Sequence, residues 1–310
     1  MRVASLFTGA GGADLGFIEE GFDIVFANEI WERAIETYQK NTGHTVYDRA
    51  VASVADNPLI VPNHDVLIGG PPCQSFSNAR TGGYSGGYRS CSGMENVKAM
   101  MHIAKVKQPK IIILENAPTL SQPNMTHICN LFFELFKDSG YHVNLWRLNA
   151  QDYGVPQSRT RCFFTGIRND LYESGKRFTR PVGVHYSHYW AGWGDFLGFV
   201  PNAILLRRAD KIKGKRWDEA SYPVIATETM AIRFNSETIH KTSGALLSAE
   251  RDALRVKQRY MSVGEMELLQ GFPVDFIFTG SSSEKIKQIG NAWCVNVSRA
   301  LARECRRILC

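Results

Sequence analysis

The sequence predicts an α/β protein with a doubly wound, mostly parallel sheet. Strand and helix patterns alternate over the first 170 residues, and this alternation is typical of parallel sheets covered by helices on both faces. The runs 65–68 and 111–114 are almost wholly apolar, as expected of strands buried on both faces. A glycine-rich turn follows the first strand pattern, as in folds that bind nucleotides. There is no internal repeat.

The individual elements follow from the period of the apolar residues and from the turn residues between them. Strands are expected at 2–7, 23–29, 65–69, 110–115, 141–149 and 161–168, and helices at 14–20, 31–41, 95–107, 123–138 and 291–309. From about residue 170 to 258 the alternation stops, which indicates a separate, smaller domain.

Composition narrows the class of protein. The chain has 310 residues, 44% of them hydrophobic and 21% charged, and a formal net charge of +6, which permits a polyanionic partner. No apolar stretch approaches the roughly 18 residues of a membrane span, and the start does not resemble a signal peptide. Seven cysteines without a CxxC pair argue against a disulfide scaffold or a zinc site, so no metal is expected and a reducing cytoplasm is favoured.

The turn 7–12, Phe-Thr-Gly-Ala-Gly-Gly, precedes a helix, and Glu29 ends the second strand twenty residues after Gly9. Glycines allow the backbone to approach a cofactor closely, and an acid at this spacing is where a doubly wound fold binds a ribose diol. The alternative is a tight strand-to-helix connection without a ligand. Because GxxxxGK[ST] is absent, a nucleoside-type cofactor is favoured over a triphosphate.

Three further patterns carry reactive or charged groups. Cys73 lies in the segment Gly-Gly-Pro-Pro-Cys-Gln, directly after the buried strand 65–69. Open α/β sheets place ligand-binding and catalytic residues at such strand ends, so Cys73 is a candidate reactive thiol. The alternative is a buried structural thiol. Glu115 ends an apolar strand, where a carboxylate needs either a function or a partner such as a helix N-terminus or a cation. Arg159 and Arg161 are two residues apart where a strand begins, so their side chains point to the same face. Two guanidinium groups there suit a ligand with carboxylate, phosphate or carbonyl oxygens; the alternative is a solvated basic edge strand.

Taken together, six blocks in this order resemble the cytosine-C5 DNA methyltransferase family of restriction-modification systems. They are 7–12 (FTGAGG), 71–74 (PPCQ), 115–116 (EN), 157–161 (QSRTR), 259–273 (ending LQGFP) and 288–291 (QIGN). The resemblance implies a Rossmann-like class I methyltransferase domain with a small inserted target-recognition domain. It places the catalytic and cofactor domain at 1–169, the recognition domain at 170–258, and a return segment at 259–310.

The resemblance also implies a mechanism with S-adenosylmethionine as the methyl donor. Cys73 would add to C6 of a flipped cytosine in double-stranded DNA, and Glu115, as a proton donor with a raised pKa, would bind N3 and the exocyclic amine. Arg161 would bind O2 of the base, and Arg159 would orient the Cys73 loop. The cofactor would be lined by Phe7, Gly9, Gly11, Gly12, Glu29, Ile30, Asp48, Pro72 and Asn291.

DNA contacts are expected in two segments. A glycine-rich stretch, 78–96, follows the nucleophile block and resembles the family's mobile lid; the alternative is an ordinary surface loop. Six of the ten residues 207–216 are basic, which suits phosphate neutralisation or a solvated loop, and an aromatic-rich stretch lies at 185–193. The candidate DNA-binding residues are Gln74, Ser75, Arg80, Arg89, Arg207, Arg208, Lys211, Lys213, Lys215 and Arg216.

Some positions depart from the family pattern. Ala50-Val51 stands where an acid usually binds the cofactor's adenine, so Asp48 or a backbone group would take that role, and Trp293 replaces a small apolar residue. Two alternative functions remain: the RNA (tRNA) version of the reaction, and a non-catalytic DNA-binding regulatory subunit. The expected partners are duplex DNA and a separate cognate endonuclease, with no membrane, and the expected state is a cytoplasmic, nucleoid-associated or phage-encoded monomer.

Overall fold

The structure of the chain is a computed structural model that describes residues 1–72, 93–183 and 260–310. It also describes the backbone of residue 92, of residues 258–259 and of the strands at 203–206, 215–216 and 231–234. The chain divides into two compact units. The first comprises residues 1–148, 160–182 and 297–310, and the second comprises residues 149–159 and 183–296.

The first unit is built on a six-stranded sheet with the strand order β2-β1-β3-β4-β6-β5. The strands are β1 (Arg2–Leu6), β2 (Asp23–Asn28), β3 (Val66–Gly69), β4 (Ile111–Asn116), β5 (Tyr141–Asn149) and β6 (Thr160–Arg168). β1 pairs in parallel with β2 and β3, and β3 pairs in parallel with β4, whereas β6 runs antiparallel to β4. The carboxyl ends of β1 to β4 therefore lie at one edge of the sheet.

Helices connect these strands. They are α1 (Gly12–Glu19), α2 (Glu32–Thr42), α3 (Val51–Asp56), α4 (Ser92–Lys107), α5 (Thr126–Asp138) and α6 (Asn169–Glu173), with α9 (Val295–Leu309) at the end of the chain. The core between the sheet and α3, α4 and α5 contains alternate strand residues such as Leu67, Ile112 and Phe164, which are fully buried. Because side chains alternate across a strand, the intervening residues face the opposite layer of helices.

The last helix, α9, packs on α1. The Ser298 hydroxyl donates to the carbonyl oxygen of Ala13, and Arg299 and Arg303 pair with Glu19 and Glu20. The end of the chain thus returns to the first strand-helix unit, next to the turn between β1 and α1. No helix in the described parts of the chain is long and apolar enough to cross a membrane.

The second unit contains a small four-stranded sheet with the order β10-β9-β7-β8, in which every described pairing is antiparallel. Its elements are β7 (Ala203–Leu206), β8 (Lys215–Arg216), β9 (Ala231–Phe234), β10 (Gln258–Tyr260), α7 (Val263–Gln270) and α8 (Ser282–Asn291). Both helices begin with a capping box, Ser262 with Glu265 and Ser281 with Glu284, in which each side chain bonds the other's backbone N–H.

The predicted fold class is confirmed: the chain is mixed α/β, and the large sheet is mostly parallel. The strand predicted at 141–149 has the observed bounds, and the other predicted strands of this sheet differ by a residue or two. The sequence analysis did not predict helices α3, α6, α7 and α8, and it did not specify that β6 is antiparallel. The helix expected at 291–309 begins four residues later, since α8 ends at Asn291 and α9 begins at Val295.

Candidate active site

The turn between β1 and α1 is held in a defined conformation by backbone hydrogen bonds. The Thr8 N–H donates to the carbonyl oxygen of Asn28 at 3.0 Å, and the Gly11 N–H donates to that of Thr8 at 3.0 Å. Phe7 and Gly9 both have positive φ, 55° and 57°, a region that a bulky side chain rarely occupies. An unfavourable conformation at Phe7 persists only when its surroundings fix it.

Glu29, at the end of β2, is bonded to this turn. Its Oε2 accepts the Gly9 N–H at 2.9 Å, while its Oε1 accepts the N–H groups of Ile30 and Trp31 at 2.8 and 3.0 Å. Ile30 is 68% exposed beside it. A carboxylate oxygen accepts more than one hydrogen bond, so Oε2 retains capacity for a further donor.

Asn28 fixes the neighbouring loop that carries Asp48. Its Nδ2 donates to the carbonyl oxygens of Tyr47 at 2.9 Å and Arg49 at 2.6 Å, on either side of Asp48. Asn28 is buried, whereas 65% of the Asp48 side chain is exposed. The Asp48 carboxylate therefore extends into solvent from a backbone that is anchored to the end of β2.

A buried carboxylate lies beneath the same turn. Asp14, in the first turn of α1, accepts hydrogen bonds from three hydroxyl groups, those of Ser5, Thr8 and Tyr38, at 2.6 to 2.7 Å. Burial raises the pKa of Asp14, although the three hydrogen bonds oppose that effect. The first turn of a helix favours a negative charge.

Glu115 and Arg161 form an ion pair near the carboxyl end of β4. The Arg161 Nε lies 3.0 Å from the Glu115 Oε1, and the two side chains are 25% and 13% exposed. The antiparallel register pairs Glu115 with Phe163, so Arg161, two residues earlier, is on the same face of the sheet. The pair brings a carboxylate and a planar guanidinium together at a partly desolvated position.

The next residue of β4 anchors the segment that precedes Cys73. The Asn116 Nδ2 lies 3.4 Å from the carbonyl oxygen of Pro71, and Asn116 itself is buried. Since β3 ends at Gly69 and pairs with β4 at Leu114, the chain leaves β3 beside Glu115. Pro72 is exposed at this point.

In the second unit, Arg159 is buried and reaches the segment around Asn291. Its Nη2 donates to the carbonyl oxygens of Gly290 at 2.9 Å and Ala292 at 3.1 Å, the two neighbours of Asn291. Asn291 is exposed. Arg159 therefore holds the backbone on both sides of an exposed amide.

Two buried glutamines extend this network. The Gln157 Nε2 donates to the Leu269 carbonyl oxygen at 2.6 Å and to the Gln270 Oε1 at 2.9 Å, and the Gln270 Nε2 donates to the Ala292 carbonyl oxygen at 2.6 Å. Three sequence blocks that are far apart in the chain, 157–161, 269–273 and 288–291, are thus joined by buried hydrogen bonds.

Comparison with known proteins assigns the chain to a family. A model of the C-5 cytosine-specific DNA methylase family matches residues 1–189 and 197–307. The chain belongs to this family. The resemblance inferred from the six sequence blocks is confirmed.

Curated relatives match the methylase over nearly its whole length. Type II methyltransferase M.MthTI of Methanothermobacter thermautotrophicus is 29% identical over 348 residues, covering 100% of this chain and 98% of the relative. Type II methyltransferase M1.HphI of Haemophilus parahaemolyticus is 32% identical over 325 residues, covering 96% and 84%. The structure of Entamoeba histolytica methyltransferase EhMeth has the same fold, with a TM-score of 0.70 at 17% identity over 100% of this chain and 99% of that one.

Several predicted site residues of the methylase lie outside the described residues. They are Cys73, Gln74, Ser75, Arg80, Arg89, Arg207, Arg208, Lys211 and Lys213, and only the backbone of Lys215 and Arg216, in β8, is described. The predicted cofactor residues Phe7, Gly9, Gly11, Gly12, Glu29 and Ile30 lie together around one turn. No group of metal-ligating residues occurs within the described part of the chain.

Several buried polar residues around the cofactor turn, the strand ends and the network of the second unit were not among the predicted site residues. Asp14, Tyr38, Asn28 and Asn116 lie next to the turn or the strand ends, and Gln270 lies in the network of the second unit. A signal existed for Asp14, because a carboxylate at a helix position surrounded by small and apolar residues needs partners. The other partners come from distant parts of the chain.

Proposed function

We propose that the chain transfers a methyl group from S-adenosylmethionine to C5 of a flipped-out cytosine in double-stranded DNA. The observation that carries the proposal is the Glu115–Arg161 pair, which lies beside the point where the chain leaves β3 towards Pro72 and Cys73. The curated relatives are named as type II methyltransferases, which supports a role in restriction-modification.

The turn between β1 and α1 fits the cofactor. A Cβ at Gly9 would have no heavy atom within 4 Å, so this side of the turn is open. The remaining acceptor capacity of Glu29 suits a ribose hydroxyl, exposed Ile30 offers an apolar surface for adenine, and Asp48 offers an acceptor for the adenine amine. When bound, S-adenosylmethionine supplies an electrophilic methyl group.

Cys73 is the proposed nucleophile. Its thiolate forms a bond to C6 of cytosine, and the electron pair of the C5–C6 double bond becomes available at C5, where the methyl group is added. Loss of the C5 proton then forms the double bond again and breaks the C–S bond, which releases the thiolate. Covalent catalysis of this kind replaces one difficult substitution by easier steps.

Glu115 and Arg161 are proposed to hold the base during these steps. The carboxyl group of Glu115 binds N3 and the exocyclic amine, and Arg161 binds the O2 atom, so that charge developing on the ring is stabilised by fixed groups. Their mutual contact of 3.0 Å keeps both side chains oriented before the base arrives. The raised pKa expected for Glu115 stays a prediction.

DNA binding is proposed for Gln74 and Ser75, for the segment 78–96 and for the segment 207–216. The target base inside a duplex is out of reach of Cys73, so it must rotate out of the stack. Residues 170–258 are proposed as the target-recognition domain, and the roles of Arg159 and Asn291 at the active centre rest on the family resemblance. A separate cognate endonuclease, a monomeric state and a cytoplasmic location also stay predictions.

The proposal is tested by transfer of tritiated methyl from S-adenosylmethionine to duplex DNA, beside a tRNA substrate, with Cys73→Ala as the control. Label on DNA that is lost in Cys73→Ala is the expected result, and sequencing of the product gives the recognition site. Label on tRNA alone would assign the chain to RNA methylation. DNA binding without any transfer would favour a regulatory subunit.

A further inference from the structure

Asp14 connects three elements around the cofactor turn through its buried carboxylate. The Ser5 hydroxyl, on β1, donates to Oδ1 at 2.6 Å. The hydroxyl groups of Thr8, in the turn, and Tyr38, on α2, both donate to Oδ2, at 2.7 and 2.6 Å. Asp14, Ser5, Thr8 and Tyr38 are all buried, and we call these four residues the hydroxyl cluster.

A carboxylate at this position is costly to bury, and the three side chains that donate to it are neutral hydroxyl groups. The helix N-terminus favours a negative charge in the first turn of α1, but it does not require three hydroxyl donors from three separate elements. The arrangement provides a rigid connection, because each hydrogen bond restricts the motion of the element that carries its donor.

Tyr38 contacts the turn in a second way. A Cβ at Gly11 would lie 2.9 Å from Cδ2 of the Tyr38 ring, so the ring packs directly against the Gly11 backbone. Gly11 has a φ of 96°, which also favours glycine. Burial and the neighbouring Asp14 raise the pKa of Tyr38 well above its usual range, so its hydroxyl stays a hydrogen donor.

The turn needs this support because its own conformation is unfavourable. Phe7 has a φ of 55°, and the adjacent Thr8 is held by a side-chain bond to Asp14 and by a backbone bond to Asn28. Gly9, whose N–H bonds Glu29, follows at once. A fixed Thr8 therefore fixes the residues on either side of it, including the N–H that orients the Glu29 carboxylate.

We propose that Asp14 and Tyr38 are positioning residues for S-adenosylmethionine, holding the turn in its binding conformation without touching the cofactor. The inference rests on the proposed function, in which this turn binds that cofactor. Its consequence is that loss of a single hydroxyl group on α2 weakens cofactor binding while the chemistry at the base continues at saturating cofactor.

The experiment compares Tyr38→Phe with Tyr141→Phe. The first removes one oxygen atom from the hydroxyl cluster and keeps the ring against Gly11. The second removes a buried hydroxyl that donates to the Pro109 carbonyl oxygen at 2.7 Å, in the same unit, and is the matched control. Calorimetric titration with S-adenosylmethionine gives Kd, methyl transfer to DNA gives KM and kcat, and thermal unfolding gives Tm.

For Tyr38→Phe we expect Kd and KM for S-adenosylmethionine to rise about tenfold, the effect of one hydrogen bond of roughly 1.4 kcal/mol, with kcat within about twofold. For Tyr141→Phe we expect a comparable decrease in Tm and an unchanged Kd. Thr8→Val, which removes another hydroxyl donor to the same Oδ2 with little change of shape, should raise Kd in the same way as Tyr38→Phe.

Equal Kd values for wild type, Tyr38→Phe and Thr8→Val, with Tm lowered as in Tyr141→Phe, would overturn the inference and leave Asp14 with a purely structural role. A wild-type protein that does not bind S-adenosylmethionine would overturn the proposed function and the inference together. A decrease in kcat with unchanged Kd would also overturn the inference, because positioning of the cofactor acts on its binding.

Discussion

The Arg161 Nε lies 3.0 Å from the Glu115 Oε1, across the antiparallel pair of strands β4 and β6. The sequence predicts the two residues separately, Glu115 from its position at the end of a strand and Arg161 from its spacing with Arg159 at the start of another. The alternative that Glu115 is an ion-paired glutamate describes the contact correctly. Its partner is itself a predicted site residue, so pairing and function are compatible: the pair compensates the cost of burying a carboxylate, and both groups are proposed to bind the base.

Arg161→Lys tests whether the planar guanidinium is required. Lysine keeps the charge but has no fork that can bind a carboxylate and a carbonyl oxygen together. We expect kcat for methyl transfer to fall about 100-fold, since groups that stabilise developing charge contribute effects of this order. The matched control is Arg168→Lys on the same strand, where the side chain pairs with exposed Asp170. Activity above half of wild type in Arg161→Lys would contradict the assigned role.

Asp48→Asn tests the proposed acceptor for the adenine amine. Asn28 holds the backbone on both sides of this residue, so the substitution leaves the loop anchored while it removes the charge and the exposed ion pair with Arg49 at 3.3 Å. We expect Kd for S-adenosylmethionine to rise about tenfold, because asparagine keeps an acceptor oxygen but loses the charge that strengthens the hydrogen bond. Asp56→Asn, an equal change of charge at an exposed site, is the control. If both variants bind as wild type does, a backbone group takes the role.

Glu304 on α9 provides a pH test of the first unit. Its carboxylate accepts bonds from the N–H and hydroxyl of Thr179 and from Arg307, at 2.6 to 2.8 Å. Burial alone would raise the pKa of Glu304, but the hydrogen bonds from Arg307 and Thr179 lower it overall. A lowered folded-state pKa means that this stabilisation is present above the unfolded value of about 4.3 and is lost as pH falls through the folded value.

We therefore expect Glu304→Gln to have a lower Tm than wild type at pH 7, and we expect this difference to decrease progressively below about pH 4. Thermal unfolding at pH 7, 5, 4 and 3.5 measures it, with exposed Glu173→Gln as the control for a glutamate on the surface. A difference in Tm that does not depend on pH would show that the carboxylate charge contributes nothing.

The sequence predicts the strands well and their partners poorly. The alternation of apolar residues at 141, 143 and 145 identifies strand β5, and the predicted range 141–149 has the observed bounds. It contains no information on direction, so the antiparallel pairing of β6 with β4 was not specified. The short helix α3 escaped because six residues give too little periodicity.

The same distinction applies to the candidate site: residues related by local spacing are predictable from the sequence, and partners from distant segments are not. The spacing of twenty residues between Gly9 and Glu29 predicts that both line one ligand site, and the bond of 2.9 Å between them places both at one turn. The partners of Asp14 could not be predicted, because Tyr38 lies 24 positions later on another helix. Arg159 was expected at the nucleophile loop, but its described bonds to Gly290 and Ala292 depend on the folding of a segment more than 130 residues away.

Gln270→Leu tests the buried network of the second unit. The substitution keeps the approximate size of the side chain but removes the donor to the Ala292 carbonyl oxygen and the acceptor for Gln157. Each buried polar group left without a partner costs about 1–3 kcal/mol. We expect the amides of 288–296 to exchange with solvent at least tenfold faster, measured by hydrogen exchange with mass spectrometry. The amides of β1 and β4, in the first unit, should be unaffected.

The control for this variant is Gln151→Leu, at an exposed position of the same unit, for which no change in exchange is expected. Because Arg159 and Gln270 bind the same carbonyl oxygen of Ala292, Gln270→Leu should also increase the freedom of the backbone around Asn291. Unchanged exchange at 288–296 would mean that Arg159 alone holds this segment, and Arg159→Lys, which cannot bridge both carbonyl oxygens as the guanidinium does, would then show the larger effect.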